Sequence, residues 1–242
     1  MRRTPLVSNG DNLTLSLDVG GSGIKGMVLN LEGQPLNEKV RIRTPRPATP
    51  VAVLRTMAKV AARQPEFDRV SVGFPGVVEF GVVKTAPNLD GDWSETPLAA
   101  EIERITGKPC RAANDADVQG YGAIEGKGVE MVLTLGTGMG SAIFSNGHLV
   151  PNLELGHHPF QDGKTYEDLV GEAARKAVGN SQWKRWVKQV IHQILPIWNP
   201  RRLYLGGGNS NKLRMKLPEQ VVIIPNVTGI LGGIRLWEDE GH

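Results

Sequence analysis

The sequence lacks several things that would fix its chemistry early. It holds one cysteine, Cys110, in 242 residues. One cysteine excludes an internal disulfide framework and a multi-cysteine zinc site. No apolar run approaches the ~20 residues that a membrane-spanning helix needs, so no membrane partner is expected. The amino-terminal MRRTPLVSNGDN has two arginines but no apolar core behind them, so no secretory signal is expected. Residues 1–12 therefore read as a flexible leader, and the expected compartment is the cytoplasm. Acids are missing from one long stretch: residues 173–218 carry ten Lys and Arg and no Asp or Glu, which leaves 18 basic against 25 acidic residues elsewhere. One segment thus supplies the positive field. A polyanion would suit it, and so would a plain solvated helix face with loop lysines.

Glycine, by contrast, is abundant: 30 residues, against a usual ~7%. They come in short clusters, as expected of tight turns or of backbone that approaches a ligand closely. LTLSLDV (13–19) alternates like a strand, GGSG turns, and IKGMVLN (24–30) returns as a second strand. A third strand is expected near 39–44, a helix over 49–63 with Thr49 as cap and Pro50 in its first turn, and a strand over 69–74. A helix over 95–107 closed by Gly107, a strand over 109–114 and a helix opening at DADVQG follow. The pattern then restarts: strand 130–135, turn GTGMG, strands 141–146 and 147–150, an amphipathic helix over 181–195, strands RLYLGGG and QVVIIP, and a last helix, GILGGIRLWEDE. The repeat predicts two related α/β domains with a cleft between them. The expected division is 13–117, joined by the last helix (228–240), and 118–227.

DVGGSG (18–23) and LGTGMG (135–140) each lie between two strands. Neither fits a P-loop, which needs Gly-Lys-Ser/Thr opening a helix, nor the dinucleotide fingerprint, which leads strand to helix. Gly20, Gly21 and Gly23, with the Ser22 hydroxyl, and Gly136 and Gly138, with the Thr137 hydroxyl, can offer donors to an anion. Plain hairpins use glycine too. Asp18, at the mouth of the first hairpin, could hold Mg²⁺ through water. Lys25 could meet a phosphate as a point charge or lie along the strand. Asp115, where a strand gives way to a helix, could be a cap or a general base, with Asp117 as the competing carboxylate. In LELGHHPFQDG, Glu154, His157 and His158 could be metal ligands, polar contacts to a small substrate, or surface residues.

The motifs DVGGSGIKG, SVGFPGVV, APNLDGDW, AANDAD, LGTGMGSA, ELGHHPF and LYLGGGNS occur in the order seen in ROK sugar kinases. The chain resembles that family from about Leu13 to its last helix, and its first motif is most similar to the polyphosphate glucokinase branch. The resemblance implies a two-domain, actin-like (ribonuclease-H-like) fold with the active site in the interdomain cleft. It implies a glucokinase that transfers a phosphoryl group from ATP or polyphosphate to the 6-hydroxyl of glucose, or of mannose. Asp115 would be the base. Asn114, Asn88, Gly76, Glu154, His157 and Glu167 would contact the sugar, and Gly207 and Gly208 would lie on the nucleotide side. His158, one step beyond His157, is left out of the site. The family's cysteine-rich zinc module is absent after ELGH, so Mg²⁺ without zinc is expected. A homodimer is implied by family habit. No helix-turn-helix precedes residue 13, so a nucleic-acid partner is not expected. A non-catalytic sugar sensor of the same fold is the alternative.

Overall fold

The computed structural model describes residues 12–225 and 228–238. The expected leader, Asn12 excepted, and the last two residues of the expected terminal helix lie outside them. The first half begins with strands β1 (Thr14–Gly20) and β2 (Gly23–Leu29), then β3 (Val40–Ile42), helix α1 (Pro50–Ala61) and β4 (Arg69–Phe74). A small hairpin of β5 (Val78–Glu79) and β6 (Val82–Val83) precedes α2 (Leu98–Thr106), β7 (Cys110–Asn114) and α3 (Asp115–Tyr121). The second half runs β8 (Val129–Leu135), β9 (Met139–Ser145), β10 (His148–Val150), α4 (Tyr166–Val170), α5 (Glu172–Trp198), β11 (Arg202–Gly206) and β12 (Val221–Ile223). The chain closes with α6 (Thr228–Leu231) and a 3-10 segment, Gly232–Trp237.

Each half builds a five-stranded sheet, in the orders β3-β2-β1-β4-β7 and β10-β9-β8-β11-β12. The two orders are the same plan: a glycine hairpin, a third strand on its outer edge, and parallel strands on the other side. The alternation that marks β1 as a strand buries Leu15, Leu17 and Val19 completely, in one core with Val70, Val72, Met57 and Ile102. Met131, Leu133, Leu203, Trp183 and Ile191 centre the second core. A third cluster joins Val118 and Tyr121 of α3 to Val132, Phe144 and Tyr204 of the second sheet. Helix α3 thus leaves the first sheet at β7 and packs on the second. The loop behind it is held by Glu130, fully buried, whose carboxylate accepts from the backbone N–H of Glu125, Gly126 and Lys127 at 2.7–3.0 Å and from the Tyr204 hydroxyl at 2.9 Å.

Several elements differ from expectation. Thr49 occupies the cap position of α1 but makes no capping hydrogen bond. Helix α5 begins at Glu172, well before residue 181, and breaks at Gly179, whose φ of 78° no right-handed helix tolerates. Its first segment has no apolar stripe, so periodicity could not reveal it. The terminal helix is four α-helical residues followed by 3-10 backbone. This segment lies on the first sheet: Ser16 Oγ donates to Ile230 O and Ser71 Oγ to Gly233 O, both at 2.6 Å. No helix among the described residues is long and apolar enough to cross a membrane.

Candidate active site

The two halves enclose a cavity of about 370 Å³. The hairpin register explains much of it. With Gly20 opposite Gly23, Asp18 falls opposite Lys25, and their side chains meet at 2.6 Å. Lys25 thus gives one of its three donors to Asp18 rather than stretching along the strand towards solvent. Both residues line the cavity. At the second turn, Gly136, Thr137 and Gly138 line it from the β8–β9 hairpin. The turns face each other closely: a Cβ on Gly21 would lie 3.1 Å from Thr137 Oγ1. Gly207, at φ 81°, and Gly208 extend this wall; a Cβ on Gly207 would lie 2.5 Å from the Leu135 carbonyl.

Both turns have their carbonyl oxygens tied to donors. At the first, Gly20 O accepts from Thr44 Oγ1 at 2.5 Å, Gly21 O from Arg46 Nη2 at 3.1 Å and Ser22 O from Arg41 Nη2 at 3.0 Å. At the second, Glu172 N donates to Gly136 O and Thr137 O at 3.0 and 3.1 Å, and Asn209 Nδ2 donates to Gly136 O at 3.2 Å. Glu167 Oε2 holds the Met139 N–H at 2.9 Å and fills the space that a Cβ on Gly138 would need. Glu167 thus reaches the cavity from α4.

The junction of β7 and α3 resolves the question of the cap. Asn114 caps α3, with Oδ1 accepting from Ala116 N at 2.8 Å. Its Nδ2 donates to Gly76 O at 3.1 Å and lies 3.5 Å from Glu154 Oε1. Asp115 is thereby released from capping and lies on the cavity wall with Asn88 and Glu154. Its pKa is pushed up to about 7, first by burial, then by the neighbouring Asp18 and Glu154 carboxylates. Asp117 is buried in the same first turn but does not line the cavity; burial and the Asp115 charge hold it well above the usual carboxylate range. Burial also raises Glu154.

Two expected residues are not brought into the cavity. Gly23 packs on Arg41, whose Nε would lie 2.6 Å from an added Cβ. His157 stays at the rim, its side chain 57% exposed and its Nε2 3.9 Å from Glu154 Oε2. His158 stacks on Tyr166 at 4.9 Å. Conversely, sequence reading missed Arg41, Gln119 and Thr134, which also line the cavity. The run KVRIRTPR is visibly basic, but only the fold shows that Arg41 and Arg46 reach back to the first turn.

No group of three or more His, Cys, Asp or Glu gathers among the described residues to hold a metal. Magnesium does not require one, since it is commonly held by one or two carboxylates together with water and substrate phosphates. Asp18 fits that role: Lys25 takes Oδ2, and Oδ1 has no hydrogen-bond partner among the described residues.

The ROK family profile matches residues 14–168. A polyphosphate glucokinase of Mycobacterium tuberculosis is 38% identical over 234 residues, covering 89% of this chain and 88% of that protein. An inorganic polyphosphate/ATP-glucomannokinase from Arthrobacter sp. strain KM superposes with a TM-score of 0.84 at 33% identity, over 93% of this chain and 97% of that one. A ROK glucokinase from Streptomyces griseus, solved with glucose and AMPPNP, shares the fold at a TM-score of 0.78 and 19% identity, over 93% of this chain and 98% of that one. With its two matching sheets, the cleft between them and these likenesses over nearly its whole length, the chain belongs to the ROK family and has its two-domain, actin-like fold.

Proposed function

We propose that this chain is a glucokinase. It transfers a phosphoryl group from ATP, inorganic polyphosphate or both to the 6-hydroxyl of glucose, and by the same geometry to mannose. The observation that carries this reading is the Asp115 carboxyl. It is freed from capping, lies on the wall of the cavity that both glycine turns line, and has a pKa of about 7. A base whose pKa matches the working pH is half ionised there and transfers protons efficiently. Asp115 takes the proton from the sugar hydroxyl as its oxygen bonds to the terminal phosphorus. The bond from that phosphorus to the donor's bridging oxygen breaks, and the electron pair leaves with ADP or the shortened chain. No phosphoenzyme is needed.

The sugar lies against Asn88, Glu154 and Glu167, with Asn114 and Gly76 holding the floor and His157 closing the rim. The donor's phosphates lie between the turns at Gly20, Gly21, Ser22 and Gly23 and at Gly136, Thr137 and Gly138, with Gly207 and Gly208 beyond. With the carbonyls tied to donors, these turns meet an anion through their N–H groups and hydroxyls. Lys25 positions Asp18. Phosphoryl transfer of this kind normally depends on Mg²⁺; Asp18 would hold the ion through water, and the ion, when bound, neutralises charge on the donor phosphates.

The same reading divides the chain into domains 13–117 with 228–240, and 118–227, supported by the separate cores and by the docking of 228–238 on the first sheet. It takes the protein to be a cytoplasmic homodimer. The edge strand β12 exposes Val222 and Ile223 for a second copy to cover.

The test is glucose with ATP, then with long-chain polyphosphate, scored for glucose 6-phosphate. Asp115→Ala should cut turnover by about 10²–10⁴ while glucose still binds. Undiminished turnover would sink the mechanism, and a wild type inactive with both donors would sink the reading.

A further inference from the structure

The ten basic residues of 173–218 are equivalent by sequence, and the structure sorts them. Arg175 and Lys176 pair with Glu172 at 2.8 and 3.3 Å. Arg201 pairs with Glu125 and Glu130 at 2.8 and 3.1 Å. Arg202 donates to Glu219 O at 3.2 Å, and Arg185 turns to Gln182. Lys184, Lys212 and Arg214, like Lys188 and Lys216, have no carboxylate partner among the described residues. The first three converge, with Asn180 and Asn211, on a second cavity of about 420 Å³.

Asn209 ties this basin to the active-site cleft by hydrogen bonds. Lys212 Nζ donates to Asn209 Oδ1 at 2.7 Å, and Asn209 Nδ2 donates to Gly136 O at 3.2 Å. Gly136 and Gly208 line the cleft, and Gly208 precedes Asn209 in the chain. Moving along the chain from the nucleotide-side glycines thus leads directly to Lys212 and Arg214, two of the basin's three cations. The basin's lining has no aromatic ring and no aliphatic wall. Small-molecule sites for ring systems are mostly apolar, with few polar groups. This one is the reverse, and what it can recognise is negative charge that continues past the reacting phosphate.

We propose that the basin formed by Lys184, Lys212, Arg214, Asn180 and Asn211 binds the distal phosphates of a chain polyanion, inorganic polyphosphate, whose terminal phosphate sits in the cleft. This rests on the donor assignment made above and deepens it. The basin gives the chain donor a foothold that a nucleotide, ending in an uncharged ring, does not use. Binding through such contacts releases counterions, so affinity for the chain donor falls as salt rises.

The decisive variant is the double substitution Lys184→Gln/Arg214→Gln, which leaves the Lys212–Asn209 contact beside the cleft intact. The ratio of polyphosphate-supported to ATP-supported kcat/KM for glucose 6-phosphate formation should fall tenfold or more. Its dependence on chain length should flatten. Arg185→Gln/Lys188→Gln, on the part of α5 that does not line the basin, should move the ratio less than twofold. An unchanged ratio in the first variant, or an equal fall in the second, overturns the proposal. Should wild type form no glucose 6-phosphate with either donor, the catalytic reading fails, and the basin is still tested by equilibrium binding of long-chain sodium polyphosphate. Binding that weakens tenfold in the double variant supports the basin, and binding that does not overturns it. If single-stranded RNA of matched charge binds as tightly and is lost to the same extent, the site is a general polyanion surface and the assignment to polyphosphate is wrong.

Discussion

The turn between β1 and β2 and the turn between β8 and β9 occupy matching places in two sheets of the same strand order, and they are braced with opposite charge. Behind the first stand two guanidinium groups, Arg41 and Arg46, with the Thr44 hydroxyl. Behind the second stand backbone amides, the Asn209 amide and the Glu167 carboxylate. Both arrangements draw carbonyl oxygens to donors. Only the first adds positive charge while doing so. In the proposed reading both turns meet the donor's phosphates; the arginines add positive charge for them at the first, and Glu167, which also lines the cavity behind the second, suits sugar hydroxyl groups that donate to it.

That contrast can be broken from either end. The largest effect is expected from Arg41→Ala/Arg46→Ala, which removes both cationic braces. The KM for the phosphoryl donor should rise by about tenfold to a hundredfold, from one or two charge-assisted hydrogen bonds partly exposed to solvent, with the KM for glucose little changed. Steady-state kinetics with each substrate varied in turn checks this. A smaller effect is expected at the other turn. Glu167→Gln should raise the KM for glucose by about tenfold, the cost of one hydrogen bond to a charged group, and leave the donor KM within a factor of two. If the two variants exchange their effects, the assignment of the arginines to the donor and of Glu167 to the sugar is wrong.

The floor between the turns gives two pH effects. Asp115 must be ionised to act, so kcat/KM should fall on the acid side of a pKa of about 7, approaching tenfold per unit of pH. Stability shifts in the opposite sense. The Asp115 pKa is about 7 folded against 3.8 unfolded, so the folded state binds more protons between those values, and stability is lost as pH rises through them. Asp115→Asn lacks this titration. It should match wild type below about pH 4 and exceed it at pH 8 by up to about 4 kcal/mol, read as a higher Tm.

Much of the site was legible because it is local. A two-residue glycine turn fixes the register of its strands, and register alone sets Asp18 against Lys25. The step from AAN to DAD marks the end of β7 and places Asp115 at a helix start. What was not legible is what arrives from a distance. Arg41 belongs to the third strand of the sheet, and nothing in its local pattern says that its guanidinium bends back 19 residues to Ser22. Glu167 lies on a short helix that carries no periodic signal, and its bond to Met139 N spans 28 residues. His157 looked central because it neighbours Glu154 in sequence. The 3-10 turn that follows Glu154 leaves that ring outside the cavity lining. The first segment of α5 was invisible for want of an apolar stripe, and the basic run hid its own sorting into paired and unpaired members.

Helix α3 bridges the two sheets. It issues from the first sheet, packs on the second, and carries Asp115 as its first residue. A rotation of one sheet against the other about this helix would swing the outlying turns through a wide arc and leave the residue at the axle almost still. On the proposed assignment of Asp115, the reacting carboxyl would stand at that fulcrum, and jaws that open for a sugar and shut on a phosphate chain would leave its aim undisturbed.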